Sequence, residues 1–225
     1  QKAIEYYEKA LPIATEIGDR RGEGTINRSL GVVFHSLGEH QKAKEYHEKA
    51  LTIAIETGDK RGEGIINGNL GAVFDSLSEY QKAKEYLEKA LAIAIEIGDK
   101  LEEGTSSGNL GAVFGSLGKY QKAKEYHEKA FAIAIEIGDK LGEGKSSGNL
   151  GAVFHSLGEY QKAKEYHEKV LAIAIEVGDK RGEGNINGNL GNIFYSFGEF
   201  QKAIEYYEKA LPIATEIGDR RGEGT

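Results

Sequence analysis

The 225-residue sequence predicts an all-α solenoid built from antiparallel helical hairpins. The first observation is a period of 40 residues with no insertion. Gln-Lys-Ala begins at 1, 41, 81, 121, 161 and 201, and Gly-Asp recurs at 18, 58, 98, 138, 178 and 218. The second is apolar spacing of i, i+3/i+4, i+7 in two segments of every period. The third is punctuation, because Gly and Asp fall where those segments stop and start.

One period, residues 59–98, shows how each element arises. Asp59 is placed to cap a helix, its carboxylate accepting orphan N–H groups and complementing the dipole. A first helix (helix A) is predicted over about 60–77, with Ile66, Leu70, Val73, Phe74 and Leu77 on its apolar face. Ser78-Glu79 breaks the pattern, where other copies carry Gly38, Gly118, Gly158 and Gly198. Glycine just past a helix is the usual C-cap. A second helix (helix B) follows over about 80–97, lined by Tyr80, Ala83, Tyr86, Leu87, Ala90, Ile93, Ala94 and Ile97. Glu85 and Lys89 stand at i, i+4 on its other face. Gly98 ends this helix and Asp99 caps the next. The alternating run Ala-Ile-Ala-Ile-Glu-Ile at 92–97 lies inside the helical pattern and reads as a wide apolar face touching helices on two sides.

The same reading divides the whole chain. Residues 1–18 form a lone helix B; 19–58, 59–98, 99–138, 139–178 and 179–218 are five full hairpins; 219–225 begin another helix A. Pro12 and Pro212 fall inside helix B and predict a local kink, since an interior proline removes one backbone bond and costs about 3 kcal/mol. Residues 1–25 and 201–225 are identical, which suggests a window of a longer or engineered array.

Composition narrows the function classes. There is no cysteine, so neither a disulfide framework nor thiolate chemistry is expected. The formal charge of −7 is spread evenly, which argues against nucleic-acid binding. No run of 18 apolar residues and no basic-then-apolar leader occurs, so neither a membrane span nor export is expected, and an intracellular (cytoplasmic) home is the default. The one sequon, Asn27-Arg28-Ser29, sits in a helical context and is not expected to carry glycan.

The pattern Leu70, Gly71, Phe74, Ser78, Tyr80, Ala83, Leu87, Ala90 and Leu91 resembles the tetratricopeptide repeat (TPR), and the match recurs in every full unit. The long period and the Gly-Asp-x-x-Gly-Glu-Gly linker are similar to the long-repeat arrays of Partner-of-Inscuteable-type proteins and kinesin light chain. The family's early Trp is replaced by Asn27, Asn67, Ser107, Ser147 and Asn187, and its terminal Pro is absent from the usual place. The resemblance implies a right-handed superhelix whose concave wall is lined by helix A, and a protein-interaction module without catalysis or cofactor.

Several constellations invite chemistry and fail on spacing. Gly144-Lys145-Ser146 looks like the end of a P-loop, but the glycine five residues earlier is Asp139 and a helix, not a strand, precedes. His47, His127 and His167 share one helix-B position; equivalent positions on stacked hairpins lie about 10 Å apart, too far to share a zinc ion. His35 and His155 beside Ser36 and Ser156 lack a third orienting group, and neighbours on a helix diverge by about 100°. No catalytic, cofactor or metal residue is therefore assigned.

What remains is a ladder of amides on helix A: Asn69, Asn109, Asn149 and Asn189, with Ser29 in the first full unit. An amide both donates and accepts, so it can pair with the backbone of an extended peptide whatever its sequence. A step of about 10 Å matches three extended residues at ~3.3 Å each. The ladder resembles those of the TPR domains of O-linked N-acetylglucosamine transferase and kinesin light chain, where it grips peptide backbone. Its alternative use is bonding to neighbouring helix-A groups. Gly68, Gly108, Gly148 and Gly188, with Ala72, Ala112 and Ala152, leave room for a ligand backbone. Arg61 and Arg181, with Arg21, add an acidic preference at the groove edge, while Arg28 and Asn192 break the pattern near the ends. The leading expectation is a scaffold that binds a protein or peptide segment in this groove. The rival is a self-associating or spacer array, with apolar surface open at both ends; light scattering against concentration separates the two.

Overall fold

The computed structural model describes residues 2–216, and within them every regular element is an α-helix. They are α1 (Lys2–Glu16), α2 (Arg20–Ser36), α3 (His40–Thr57), α4 (Lys60–Ser76), α5 (Tyr80–Ile97), α6 (Lys100–Ser116), α7 (Tyr120–Ile137), α8 (Lys140–Ser156), α9 (Tyr160–Val177), α10 (Lys180–Ser196) and α11 (Phe200–Glu216). Even-numbered helices are the predicted A helices and odd-numbered ones the B helices. The expected helix A start over 219–225 lies outside the described residues. The chain divides into two compact units, 1–117 and 118–225.

Local chemistry sets the helix ends. The side chains of Asp19, Asp59, Asp99, Asp139 and Asp179 accept from the backbone N–H three residues on, at 2.9–3.1 Å. At the other end Gly58, Gly98, Gly138 and Gly178 adopt left-handed φ of 68 to 72°, and the following Asp N–H reaches back to an alanine carbonyl five residues earlier. α1 and α11 run through Pro12 and Pro212 as single helices.

In unit one, α1 to α6 pack successively, each on its chain neighbour; α7 to α11 do the same in unit two. The A helices also meet one another, α2 with α4 and α4 with α6 in unit one, α8 with α10 in unit two. Among the described residues no pair of B helices approaches to the same extent. A two-layer stack is tighter on the inside of its curve, so within each unit the A helices form the inner wall.

The core lies between the layers. Leu30, Leu70, Leu110, Leu150 and Leu190 are fully buried, each contributing about 1.5–3 kcal/mol by removal from water. Phe34, Phe74, Phe154 and Phe194 stack on Tyr46, Tyr86, Tyr166 and Tyr206 with centroids 5.2–5.4 Å apart. The Gly of the Leu-Gly pair is a close-approach position. A Cβ on Gly31, Gly71, Gly151 or Gly191 would lie 2.5–2.7 Å from the ring or side chain of His47, Leu87, His167 or Tyr207. Ile13 on α1 and Ile17 just after it are exposed, whereas Ile53, Ile93 and Ile133 in the register of Ile13 are buried.

Candidate functional site

The inner wall of unit one carries Asn69 on α4 and Asn109 on α6; that of unit two carries Asn149 on α8 and Asn189 on α10. The first two are half-buried and the second two exposed. Among the described residues, none of the four side chains makes a hydrogen bond within the protein. The contrast lies two residues earlier. Asn27, Asn67 and Asn187 are buried, and each Nδ2 donates to the carbonyl of Glu23, Glu63 or Glu183 at 2.8–2.9 Å. Ser107 does the same to Glu103 at 2.7 Å. The polar residue at the family's Trp position is thus consumed by its own helix, and the ladder residue is not. Ser29 departs from the ladder, since its hydroxyl donates to the Thr25 carbonyl.

The floor beside the amides differs between the two units. A Cβ at Gly148 or Gly188 would meet open space, while one at Gly68 would meet the carboxylate of Glu102 at 3.0 Å. Glu102 is half-buried, its carboxyl pushed up by burial, and it accepts from Ser106 Oγ at 3.3 Å. Sequence reasoning missed it. The available signal was its register, since residues 22, 62, 142 and 182 are all glycine.

The groove-edge arginines have different settings. Arg61 Nε donates to Asp99 Oδ2 at 3.1 Å, tying the start of α4 to the cap of α6. Arg181 is exposed at the start of α10. Asn192 lies one turn beyond Asn189, and its Oδ1 accepts from Tyr207 Oη at 2.7 Å. That bond fixes the amide's orientation and turns its NH₂ away from the acceptor side.

His47, His127 and His167 are buried packing rings, with Nδ1 of each lacking a partner. Burial first, and for His47 and His167 nearby histidines next, pushes each down to about 4, so all three are neutral at physiological pH. His35 and His155 use Nε2 to meet the Ser76 and Ser196 hydroxyls of the next A helix at 3.0 and 3.1 Å. Among the described residues no group of three His, Cys, Asp or Glu could hold a metal. Among them, too, no helix is long and apolar enough to cross a membrane.

A tetratricopeptide repeat family model matches residues 1–56, 62–136 and 143–216. The chain belongs to the tetratricopeptide repeat family. Solved structures with the same fold include BtubC (BKLC) from P. vanneervenii, with a TM-score of 0.83 at 24% identity over 97% of this chain and 90% of that one. A Podosopora anserina protein with nearly identical TPR-like repeats of kinesin light chain type gives 0.71 at 21% identity over 85% and 94%. The Rap conjugation gene regulator of plasmid pLS20, solved in complex with the Phr* peptide, gives 0.74 at 18% identity over 93% and 58%. No curated protein matches the sequence.

Proposed function

We propose that this TPR array is a non-catalytic protein-interaction scaffold that holds an extended peptide segment against its A helices through the asparagine ladder. The observation that carries this reading is the split fate of the amides. Asn67 and Asn187 satisfy themselves on their own helices, whereas Asn69, Asn109, Asn149 and Asn189 keep both donor and acceptor for a ligand. A pre-placed amide loses little freedom on binding, so ordering the peptide is the main entropic cost. Arg61 and Arg181 act at the edge: Arg61, exposed beyond its bond to Asp99, favours acidic ligand residues. The Rap conjugation gene regulator, a neighbour in fold, is solved in complex with a peptide, which supports a peptide as the ligand class.

The test is a displayed library of random extended peptides, selected on the wild-type chain and remeasured on the quadruple variant Asn69→Ala, Asn109→Ala, Asn149→Ala, Asn189→Ala. With roughly 1 kcal/mol per backbone bond, selected peptides should weaken at least about tenfold while the melting temperature stays unchanged. Unchanged affinity would remove the ladder from the mechanism.

A further inference from the structure

Helices α1 and α11 share one sequence, residues 2–16 recurring as 202–216, yet each is covered on a different face. On α1, Ile4, Tyr7 and Leu11 are half-buried, and Ile4 and Tyr7 pack against the cluster that holds Leu30 and Phe34 of α2. Ala3, Tyr6 and Ile13 of α1 are exposed. On α11 the coverage is reversed. Ala203 is buried, Tyr206 is half-buried and stacks on Phe194 of α10, and Ile213 is half-buried beside Gly184. Ile204 and Leu211, the counterparts of Ile4 and Leu11, stand 48% and 46% exposed.

The register of Ile4 makes the seat on α2 particular. α3, α7 and α9 carry Lys44, Lys124 and Lys164 there, and each Nζ lies 5.5–5.8 Å from the ring centroid of Phe74, Phe154 or Phe194 on the following A helix. The cluster that holds Phe34, the register-mate of those rings, meets Ile4 instead. Of the other B helices only α11 offers an isoleucine at this position, Ile204. α11 is also ordered already on α10, whereas α1 is a 15-residue helix covered from one side. An isolated helix of that length is marginal in water. α2 can therefore gain the same contacts from α11 without the cost of ordering α1.

We infer that the 225-residue chain associates head to tail by helix exchange: α11 of one copy takes the place of α1 on α2 of a second copy. Ile204 and Leu211 then pack where Ile4 and Leu11 pack in the single copy. The shared helix is covered on both faces, as α3 is between α2 and α4. The contact joins unlike faces, so it continues from copy to copy unless a ring closes. It uses none of the ladder asparagines and so goes beyond the groove reading.

Light scattering of the full chain over a concentration series tests it. The weight-average mass of the wild type should rise at least about twofold across the micromolar range. Ile204→Glu combined with Leu211→Glu should keep the chain monomeric throughout. Its melting temperature should be unchanged, because both side chains are exposed in the single copy. Ile13→Glu should leave association intact, since the exchanged helix is α11 and α1 is displaced. A wild type that stays monomeric, or an assembly that survives the double α11 variant, overturns the inference. Loss of assembly in Ile13→Glu overturns it too, because the contact would then be made by the outer face of a seated α1. Each of these failures leaves the groove reading standing.

Discussion

Ser78, in the turn after α4, has φ of 59° and is the one non-glycine with positive φ among the described residues. The corresponding turns use Gly38, Gly118, Gly158 and Gly198 at 68 to 76°. A Cβ in the left-handed region costs about 1–2 kcal/mol, and glycine removes that cost at a small entropic loss. Ser78→Gly is therefore expected to stabilise the chain by roughly 1 kcal/mol, read as a higher urea midpoint at constant slope. An unchanged or lower midpoint would show that the Ser78 side chain compensates for its backbone. Asp75, one turn earlier, has an unpartnered buried Oδ1, and burial pushes its carboxyl up. Its register-mates His35 and His155 instead reach the next A-helix serine.

The helices are held mainly by their packed faces, and α11 shows what an unfavourable residue does within one. Pro212 lies inside Phe200–Glu216, where α5, α7 and α9 carry Ala92, Ala132 and Ala172. Its ring removes one i→i−4 bond and crowds the preceding turn. Pro212→Ala should raise the melting temperature, with up to about 3 kcal/mol available. The gain should appear first as slower amide exchange in α11. No change in exchange there would mean that neighbouring packing already absorbs the defect.

At the scale of the whole molecule, the three buried histidines are expected to set the acid limit. Each sits near 4 in the fold against about 6.5 unfolded. A depressed folded value means that protons favour the unfolded chain. Stability is intact above about pH 6.5 and falls as pH drops toward about 4, by roughly 3 kcal/mol per ring at most. Glu102 and Asp75, pushed upward by burial, have the opposite sign and gain stability as pH falls toward the ordinary carboxylate range. Leu87 already fills the same place beneath Gly71. The triple variant His47→Leu, His127→Leu, His167→Leu should therefore be at least as stable at neutral pH. Its denaturant midpoint should be nearly flat from pH 6.5 to 4, where the wild type declines. Parallel pH curves for the two proteins would place the acid sensitivity elsewhere.

Asp caps, glycine stops and the Leu-Gly/Phe/Ala pattern were legible because each is local: cap and orphan N–H lie three residues apart, and apolar period maps directly onto one helix face. The ladder positions could be read from their register, but not their state. Asn67 and Asn69 are the same residue two places apart; only the packing of neighbouring helices decides that the first is buried and bonded to Glu63 while the second is left available. Arg21 and Arg61 are likewise the same letter in the same register, yet only Arg61 pairs with the cap of the following A helix. Glu102 stands where other copies have glycine, and its place over Gly68 became visible only once α6 was set against α4. The sequence alone therefore determined the repeat, the helices, their ends and the family. The tertiary structure decided which polar side chains are buried and which stay open on the A helices, because that burial depends on packing between residues about 40 apart in the chain.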